Sequence, residues 1–508
     1  MKIHTRCFLL LLLLGPICAT AQTLTFQTEY LGGTFLNIGD VAPHPTDGYI
    51  IVGSDDSTSF FIRTDDGGVP ISISAYPDSI SDHIVRIIPS LNGGFVLFGH
   101  SLETQSQRAF LMETDPGGTP IWRRTYPLHS IVRAEATGAN GFVFVGPKNN
   151  VDGHSIVVKV NAIGAVEWSR DIDGPVTNFA PSGIAQLPDG GYMLSGTAKV
   201  LGNTRQDIWL LKLSATGHLL HAKKLDGADL DTANDLHAAS NGGAYVTGHM
   251  SSFGTDGMYV MKVDSIGDPE WTRVLSGGDF MEGQRIIEGV SSRILVSGTL
   301  RDGSDTDIVL AQFNEIATVD FIRRLDIGSD DASHALRQEA SLRILIAGST
   351  VNTNLHGLLL RLDPFNDFQC SGDTVTLPVE AQSPVVMDSM LADTSAGMDM
   401  VAGIPNLGSV GVAPILGCMT VDVEGEKEVG LSVWPVPAQD RVQLRFRAVS
   451  DMGILRVYDA MGRQLIREAF SAQPGALVER VLELEVRGIV WIEVEMEGQR
   501  MQKTAFFR

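Results

Sequence analysis

Seven copies of one short motif constrain this chain more than any other feature. Each copy is an apolar run that ends in glycine, and the seven glycines are spaced 46 to 52 residues apart. A period of this length, kept so evenly, predicts a fold built from equivalent units that stack on one another. The runs are YIIVGS with Gly53, FVLFGH with Gly99, FVFVGP with Gly146, YMLSGT with Gly196, AYVTGH with Gly248, ILVSGT with Gly298 and ILIAGS with Gly348.

The rest of each unit also has the pattern of β-structure. A turn such as PDGG (188–191) precedes several of the runs, and glycine supplies the positive φ that tight hairpins need. An alternating strand such as YVMKVD (259–264) follows, and then a strand with an aromatic residue such as PEWTRVL (269–275). Helical periodicity is not sustained across the repeats. Four short strands per unit, repeated seven times, predict an all-β chain with a seven-bladed β-propeller over residues 22–370.

One strand near the start of the chain has no unit of its own. Residues 24–30 place Phe26 and Tyr30 four apart, as Trp122 and Tyr126 are in the fourth strand of a unit. We expect this strand to complete the last unit, around Gly348, so that the ring of sheets is closed and has no open end.

The repeat resembles the bacterial β-propeller repeat family often called SBBP. That family carries a GGY-x-V-x-G run, a D-x-x-L-x-K-L-D strand and an x-x-W strand, as in SSFGTDGMYVMKVDSIGDPEW at residues 251–271. The resemblance covers roughly residues 23–370 and implies the propeller fold. It does not imply a function, because propellers serve as enzymes, adhesins and scaffolds alike.

The N-terminus predicts export. Lys2 and Arg6 precede a short apolar run at residues 8–14, and a small-x-small pattern predicts a signal peptide over residues 1–21 that is cleaved between Ala21 and Gln22. The alternatives are a membrane anchor, for which the run is short, and a lipoprotein modified at Cys18. After cleavage Cys370 and Cys418 remain, and they form a candidate disulfide or stay as two buried thiols.

The last eighty residues differ from the repeats. Alternating strands and turns over residues 429–508 predict a small Ig-like β-sandwich. The motifs WPVPAQD (434–440), VYDAMGR (457–463), GIVW (488–491) and KTAFFR (503–508) resemble those of the type A C-terminal sorting domain of the type IX secretion system. The matching positions of this sorting motif are Pro435, Pro437, Asp459, Gly462, Gly488 and Lys503.

That resemblance implies partners and a location. It implies passage through the type IX secretion machinery and its sortase, and release from, or attachment to, the outer-membrane surface of a Gram-negative bacterium. Residues 371–428 lie between the repeats and this domain. They are interpreted as a β-rich linker or an appendage of the propeller, with a flexible linker as the alternative. No transmembrane segment is predicted in the mature chain.

The sequence offers few candidates for chemistry. A formal charge of −22 argues against nucleic-acid binding, and recognisable catalytic, cofactor or zinc motifs are lacking. Ca²⁺ remains a possible ligand, because acidic residues recur in loops expected on one face of the propeller. The alternative is that these residues only cap turns. The candidate acidic loop-face patch consists of Asp229, Asp231, Asp279, Glu282, Asp330 and Asp331.

Three histidines, His83, His237 and His334, occupy comparable places near the start of inner strands. They are interpreted either as metal ligands or as groups that only form hydrogen bonds at the rim of the channel.

The sequence favours a non-enzymatic binding or adhesion module with an extracellular glycan or protein as ligand. A second hypothesis is a secreted hydrolase or lyase whose active site lies in the propeller funnel, where two carboxylates, or a histidine with a carboxylate, would have to meet. A third is a purely structural envelope component.

Overall fold

The computed structural model describes most of the chain in two parts. The described residues are 25–31, 36–55, 58–76, 80–103, 106–138, 140–148, 154–173, 176–200, 205–226, 230–251, 256–351, 354–362, 372–374, 377, 379–382, 385–388, 392–395, 401–403, 413–420, 432–434, 441–448, 450–459, 463–473, 476–484, 488–496 and 499–507. They belong to two compact units, within residues 1–421 and 422–508. The predicted signal peptide, with its cleavage point at Ala21 and Gln22, lies outside the described residues. Among those residues, no helix has the length and apolar character to cross a bilayer.

In the part of the repeats that the structure describes, the strands form seven groups of four antiparallel strands, here called sheets 1 to 7. The first strand of the chain is β1 (Thr25–Leu31). Sheets 1 and 2 contain β2 (Leu36–Pro43), β3 (Tyr49–Asp55), β4 (Ser59–Thr64), β5 (Pro70–Tyr76), β6 (Ile80–Pro89), β7 (Phe95–Glu103), β8 (Ser106–Thr114) and β9 (Pro120–Tyr126). Sheets 3 and 4 contain β10 (Arg133–Ala136), β11 (Phe142–Pro147), β12 (Ser155–Val160), β13 (Val166–Asp173), β14 (Val176–Gln186), β15 (Tyr192–Val200), β16 (Asp207–Leu213) and β17 (Leu219–Asp226).

The later sheets repeat this order. Sheets 5 and 6 contain β18 (Thr232–Ala238), β19 (Ala244–Met250), β20 (Gly257–Val263), β21 (Pro269–Leu275), β22 (Phe280–Glu288), β23 (Ile294–Asp302), β24 (Asp305–Phe313) and β25 (Val319–Leu325). A 3₁₀ turn at Val290–Ser292 joins β22 to β23. Sheet 7 contains β26 (Asp330–Gln338), β27 (Ile344–Val351) and β28 (Leu355–Leu362), with β1 as its fourth strand.

The pairing of β1 confirms that the N-terminal strand completes the last unit. β1 runs antiparallel to β28, with Phe26 opposite Arg361. The guanidinium of Arg361 lies 4.8 Å from the centre of the Phe26 ring, and Nδ1 of His356 lies 2.9 Å from a carboxylate oxygen of Glu29. The strand is therefore held by backbone pairing, an arginine–aromatic contact and a buried polar pair.

The sheets follow one another around a closed cycle. The first strand of each sheet contacts the first strand of the next, and β26 of sheet 7 contacts β2 of sheet 1. Seven separate hydrophobic clusters lie at the seven junctions between successive sheets, including the junction of sheet 7 with sheet 1. The core is thus divided among the junctions, as expected when no sheet covers both its faces alone. The all-β class and a propeller-like arrangement of four-stranded sheets are confirmed.

A repeated tyrosine contact joins several neighbouring sheets. The hydroxyl of Tyr76 in sheet 1 donates a hydrogen bond to the carbonyl of Gly118 in sheet 2 at 2.6 Å. Tyr126 makes the same contact to Gly164 in sheet 3 at 2.6 Å. Tyr30 of β1 donates to Gly68 of sheet 1. The junction that closes the ring therefore uses the same contact as two junctions inside it.

The described residues of segment 372–420 contain six strands, here called the belt. Each belt strand pairs antiparallel with the outermost strand of one sheet. The strands are β29 (Gly372–Thr374) on sheet 6, β30 (Val379–Gln382) on sheet 5, β31 (Val385–Asp388) on sheet 4, β32 (Ala392–Ser395) on sheet 3, β33 (Val401–Gly403) on sheet 2 and β34 (Ala413–Thr420) on sheet 7. The segment interpreted as a linker or appendage therefore passes the sheets in reverse order and covers their outer edges.

The second unit is also all-β. One sheet contains β35 (Ser432–Trp434), β36 (Arg441–Arg447) and β39 (Leu477–Glu483). The other contains β37 (Met452–Asp459), β38 (Gln464–Ser471), β40 (Gly488–Met496) and β41 (Gln499–Phe507). Both sheets contribute to one apolar core, with Leu444 and Val478 from the first and Val457 and Ile492 from the second.

Candidate functional site

The first strands of the sheets share one special position, thirteen residues before the repeat glycine in every unit. In six of the seven first strands a register shift comes immediately before this position. Such bulges redirect side chains and are common beside functional sites. The residues at this position, here called the channel ring, are Asp40, Arg86, Arg133, Gly183, Asp235, Arg285 and Ala335, in the order of the sheets.

Charged members of the channel ring line two cavities. The larger, of about 520 Å³, is bounded by residues from the first strands of sheets 1, 2, 3, 5, 6 and 7, including Arg86, Asp235 and Arg285. The smaller, of about 420 Å³, is bounded by Arg133, Gln284 and Arg285 among others. A cavity that touches the first strands of so many sheets lies at the centre of the cycle, where propellers commonly hold their channel.

Asp40 joins three sheets. Its Oδ2 lies 2.8 Å from Nη2 of Arg337 in sheet 7 and 3.5 Å from Nη1 of Arg86 in sheet 2. The N–H of Ile87 donates to the same oxygen at 3.0 Å, and the N–H of Val41 donates to Oδ1 at 2.8 Å. Because Arg86 also pairs with Glu135 at 2.7 Å, a continuous chain of ion pairs runs from sheet 7 to sheet 3.

Asp235 repeats this arrangement on the other side of the ring. Its Oδ1 accepts a hydrogen bond from Nε of Arg133 at 2.9 Å, and its Oδ2 accepts one from the N–H of Ile286 at 3.0 Å. Arg133 belongs to sheet 3 and Asp235 to sheet 5. Between them, in sheet 4, the channel ring has Gly183, where a Cβ atom would lie 2.5 Å from Cβ of Leu236 in sheet 5.

Both carboxylates are held in the ionised state. Burial alone would raise the pKa of Asp40, but Arg337, Arg86 and the two backbone N–H donors keep it below its ordinary value of 3.8. Burial acts likewise on Asp235, and Arg133 with Arg285 and the N–H of Ile286 lower its pKa below 3.8. Such carboxylates are weak bases at neutral pH and carry no proton to donate.

Arg285 differs from the other guanidinium groups of the ring. Its Nε donates to the carbonyl of His334 and its Nη1 to the carbonyl of Gln284. In the described part of the chain, no ion pair joins it to a carboxylate. Burial, with Arg133 and Arg86 nearby, outweighs Asp235 and Asp40 and lowers the pKa of Arg285 to about 9. Arg285 is therefore a guanidinium whose charged form its surroundings stabilise less than they stabilise that of Arg86.

The three histidines named from the sequence are not brought together as a metal site among the described residues. Nδ1 of His334 lies 2.8 Å from the carbonyl oxygen of Ile38 and therefore donates to it. Nδ1 of His83 lies 2.8 Å from Oγ of Ser54. His237 borders the larger cavity. Two of them are thus hydrogen-bonding groups, as one of the two interpretations predicted.

The predicted acidic loop-face patch divides into separate local contacts. The carboxylate of Asp231 accepts from the N–H of Ser251, and that of Asp331 from the N–H groups of Ile327 and Gly328. The exposed Asp279 accepts from the N–H of Gly303, while Glu282 accepts from Asn234 and Gln284. Asp330 is exposed at the start of β26, and Asp229 lies outside the described residues. Backbone donors thus engage three of these carboxylates, which is the turn-capping role.

A different acidic group has the arrangement of a cation site. Carboxylate oxygens of Asp305, Asp307 and Asp326 lie within 4.8 Å of one another. Asp307 is fully buried, and two nitrogens of Arg324 bind its Oδ2, at 2.5 and 2.6 Å. Burial, with Asp305 and Asp326 nearby, raises the pKa of Asp307 to about 6 despite Arg324. Three carboxylates against one guanidinium leave an excess of negative charge that Ca²⁺ would neutralise.

The remaining predicted residues lie partly outside the described residues. Cys418 is in β34, where its backbone is opposite Gln27, but Cys370 is not described, and the candidate disulfide stays a prediction. Of the sorting motif, Asp459 ends β37, Gly488 begins β40 and Lys503 is opposite Ile492 in β41. Pro435, Pro437 and Gly462 lie outside the described residues.

No protein-family model matches this chain, and no curated protein matches it in sequence. Among solved structures, the chain is similar to a puromycin hydrolase mutant complexed with PGG, at 12% identity and a TM-score of 0.35, over 63% of this chain and 50% of that chain. It is also similar to a provisionally assigned gluconolactonase, at 13% identity and a TM-score of 0.29, over 66% of this chain and 92% of that chain. The chain spans half the length of the puromycin hydrolase structure that it matches.

Proposed function

We propose that this chain is a secreted or cell-surface binding protein without enzymatic activity, built on a seven-bladed β-propeller. The seven four-stranded sheets and the seven apolar junctions that link them in a cycle support the blade count. The C-terminal unit, with two antiparallel sheets over one core, supports an Ig-like sandwich that serves as the type IX sorting domain. In this proposal the type IX machinery and its sortase are the export partners, and the chain ends on the surface of a Gram-negative bacterium or outside it.

The lowered pKa values of the channel carboxylates Asp40 and Asp235 are the observation that supports binding rather than catalysis. A hydrolase or lyase that used Asp40 or Asp235 as its general acid would need that carboxyl group to have a pKa near the working pH. Asp40 and Asp235 instead have lowered pKa values and are engaged by arginines and backbone N–H groups. Their contacts fix the positions of the guanidinium groups around a cavity, which is an arrangement suited to recognition.

The binding function is tested with the full chain purified after export. It is titrated with arrays of glycans and peptides, and each recovered ligand is analysed by mass spectrometry. We expect saturable binding with the mass of the ligand unchanged. Conversion of a bound ligand to product would contradict this proposal and support the hydrolase or lyase alternative.

The export route is tested in a Gram-negative host that has the type IX system. We expect the full chain to reach the medium or the cell surface, and a chain lacking residues 429–508 to stay in the periplasm. The matched control is Met452→Ala, because this side chain is 63% exposed in the same unit and contributes little to its core. Export of the truncated chain would overturn the sorting role.

A further inference from the structure

We propose that the channel binds a small oxyanion, a carboxylate or phosphate group, at Arg285. This inference rests on the proposed binding function and adds the chemical class of the ligand. The ligand would occupy the larger central cavity, where Arg285 borders the space together with Arg86 and Arg337.

The guanidinium groups at the centre of the ring are not all paired with carboxylates. Four guanidinium groups, those of Arg86, Arg133, Arg285 and Arg337, lie there with the carboxylates of Asp40, Asp235 and Glu135. Two more carboxylates border the larger cavity, those of Glu288 and Glu339, and they accept hydrogen bonds from Ser240 and Tyr49. The pairs described above use Arg86 and Arg337 for Asp40, Arg86 again for Glu135, and Arg133 for Asp235. Among the described residues, Arg285 is the one of these four guanidinium groups that has no carboxylate in ion-pair contact, and a bound anionic group would supply that partner.

The guanidinium of Arg285 is also fixed in an orientation in which it can bind a ligand. Its Nε and Nη1 donate to two backbone carbonyls, which fixes the plane of the guanidinium. In the described part of the chain, Nη2 has no hydrogen-bond partner. The side chain borders both central cavities, so a ligand can approach it from either. A guanidinium with fixed orientation and free donor capacity favours an oxyanion over a neutral ligand.

The attraction of an oxyanion is confined to the cavity around Arg285. The whole chain carries a formal charge of −22, so long-range forces do not concentrate anions on its surface. The positive charge at Arg285 is instead enclosed by first strands, where the interaction with an anion is screened less than at the surface. A cavity of about 520 Å³ accommodates a small organic acid or a phosphate.

The test is a calorimetric titration of the full chain at constant ionic strength. One series uses acetate, succinate and citrate, the other uses inorganic phosphate and sulfate, and chloride is the reference. We expect saturable binding of at least one oxyanion, and the stronger series identifies the natural group as carboxylate or phosphate. Absence of saturable binding in both series would overturn the proposal.

Variants of Arg285 test whether the oxyanion binds at this residue. Arg285→Gln is expected to weaken the oxyanion affinity roughly tenfold or more, because it removes a charge-assisted pair, and Arg285→Lys to weaken it less. Arg293→Gln, in an exposed pair with Asp320 of the same sheet, is the control and should bind as the wild type does. Equal affinity in all three variants would overturn the assignment to Arg285.

Measurements on the same samples distinguish failure of the oxyanion site from failure of the proposed binding function. Arg285→Gln is expected to fold, because it removes a buried guanidinium that has no ion-pair partner among the described residues. If glycans or peptides bind while oxyanions do not, the further inference fails and the proposed function stands. If a bound oxyanion ligand is converted to product, the proposed non-enzymatic function fails while the site at Arg285 is retained.

Discussion

Arg337 and Asp40 are 297 positions apart in the chain, yet Nη2 of the arginine lies 2.8 Å from Oδ2 of the aspartate. The contact joins sheet 7 to sheet 1, at the junction where the cycle of sheets closes. The same Oδ2 reaches Arg86 of sheet 2, so one buried carboxylate ties three successive sheets together. The closing junction is thus stabilised by electrostatics as well as by apolar packing.

Asp40→Asn tests the energetic weight of this closure. The side chain is 1% exposed, and removing its charge leaves two arginines without their shared partner. Breaking a buried ion pair from one side costs about 3–5 kcal/mol, and we expect a loss of this order in the free energy of unfolding, measured with urea. Asp320→Asn, in the exposed pair with Arg293, should cost less than about 1 kcal/mol. Equal losses would contradict the role of Asp40.

The lowered pKa values of Asp40 and Asp235 predict how stability changes in acid. A carboxyl group with a lower pKa in the folded chain than in the unfolded one contributes stability above its ordinary pKa of 3.8, and this contribution is lost as the pH falls through the lowered folded value. We expect the unfolding free energy to fall steeply below about pH 4. In Asp40→Asn this decline should be shallower. A profile identical to the wild type would show that Asp40 does not titrate in this way.

Phe26→Ala tests the contribution of the N-terminal strand. Phe26 is fully buried and packs against Tyr49 of sheet 1 and beneath Arg361. Truncating a buried phenylalanine costs about 3–5 kcal/mol, and we expect a loss of this order in chemical unfolding. Ile316→Ala, at a side chain that is 77% exposed, is the control and should change stability little. A small loss in Phe26→Ala would mean that the ring closes without help from β1.

Hydrogen exchange tests the belt. β17 of sheet 4 pairs with β31 on its outer side, whereas β5 of sheet 1 has no fifth strand among the described residues. We therefore expect slower exchange in β17 than in β5. Val386→Pro, opposite Leu225, removes a backbone donor from β31 and should speed exchange in β17 without changing β5. Equal exchange in the two strands of the wild type would contradict stable belt pairing.

Calcium tests the acidic group around Asp307. Because its pKa is raised to about 6, Asp307 is ionised near pH 7 and protonated near pH 5. We expect Ca²⁺ to raise the melting temperature near pH 7, and to do so less near pH 5. Asp305→Asn should reduce the effect, while Asp279→Asn, in the loop-face patch, should not. A calcium effect that is the same at both pH values and in both variants would exclude this site.

The same pKa also affects stability without metal. The folded chain holds a proton on Asp307 at pH values where the unfolded chain has already lost it, between 3.8 and about 6. Its contribution to stability therefore declines as the pH rises through this interval, opposite in sign to that of Asp40.

The sequence predicted the features that local rules determine. Hairpin glycines, alternating strands and the repeat period fixed the four-stranded units, and the aromatic spacing of Phe26 and Tyr30 identified the closing strand. The channel ring was missed, although each member lies thirteen residues before a repeat glycine. Its members range from Arg285 to Gly183 and Ala335, so residue type does not reveal it. These residues form a ring only because first strands that are distant in sequence come together in the fold.

The course of the belt around the sheets and the contacts of the acidic residues could not be predicted, for other reasons. Belt strands such as Gly372–Thr374 and Val401–Gly403 are too short to show alternation, and the edges of the sheets determine their pairing. The predicted patch assumed that carboxylates on neighbouring loops converge. Backbone N–H groups within single turns engage Asp231 and Asp331 instead, a competition that loop composition does not resolve.

The reverse course of the belt determines the order in which this chain would come apart under tension. β1 lies between β28 and β34, so the strand that closes the cycle has β34 over its free edge. With the sheets held fixed, traction from the C-terminal side of the belt would first detach β34, which pairs with β1 over seven residues. β33, β32, β31, β30 and β29 would follow in turn, each held by a pairing of three or four residues. Only after this unzipping would the load reach β28, and the toroid would be the last part to open.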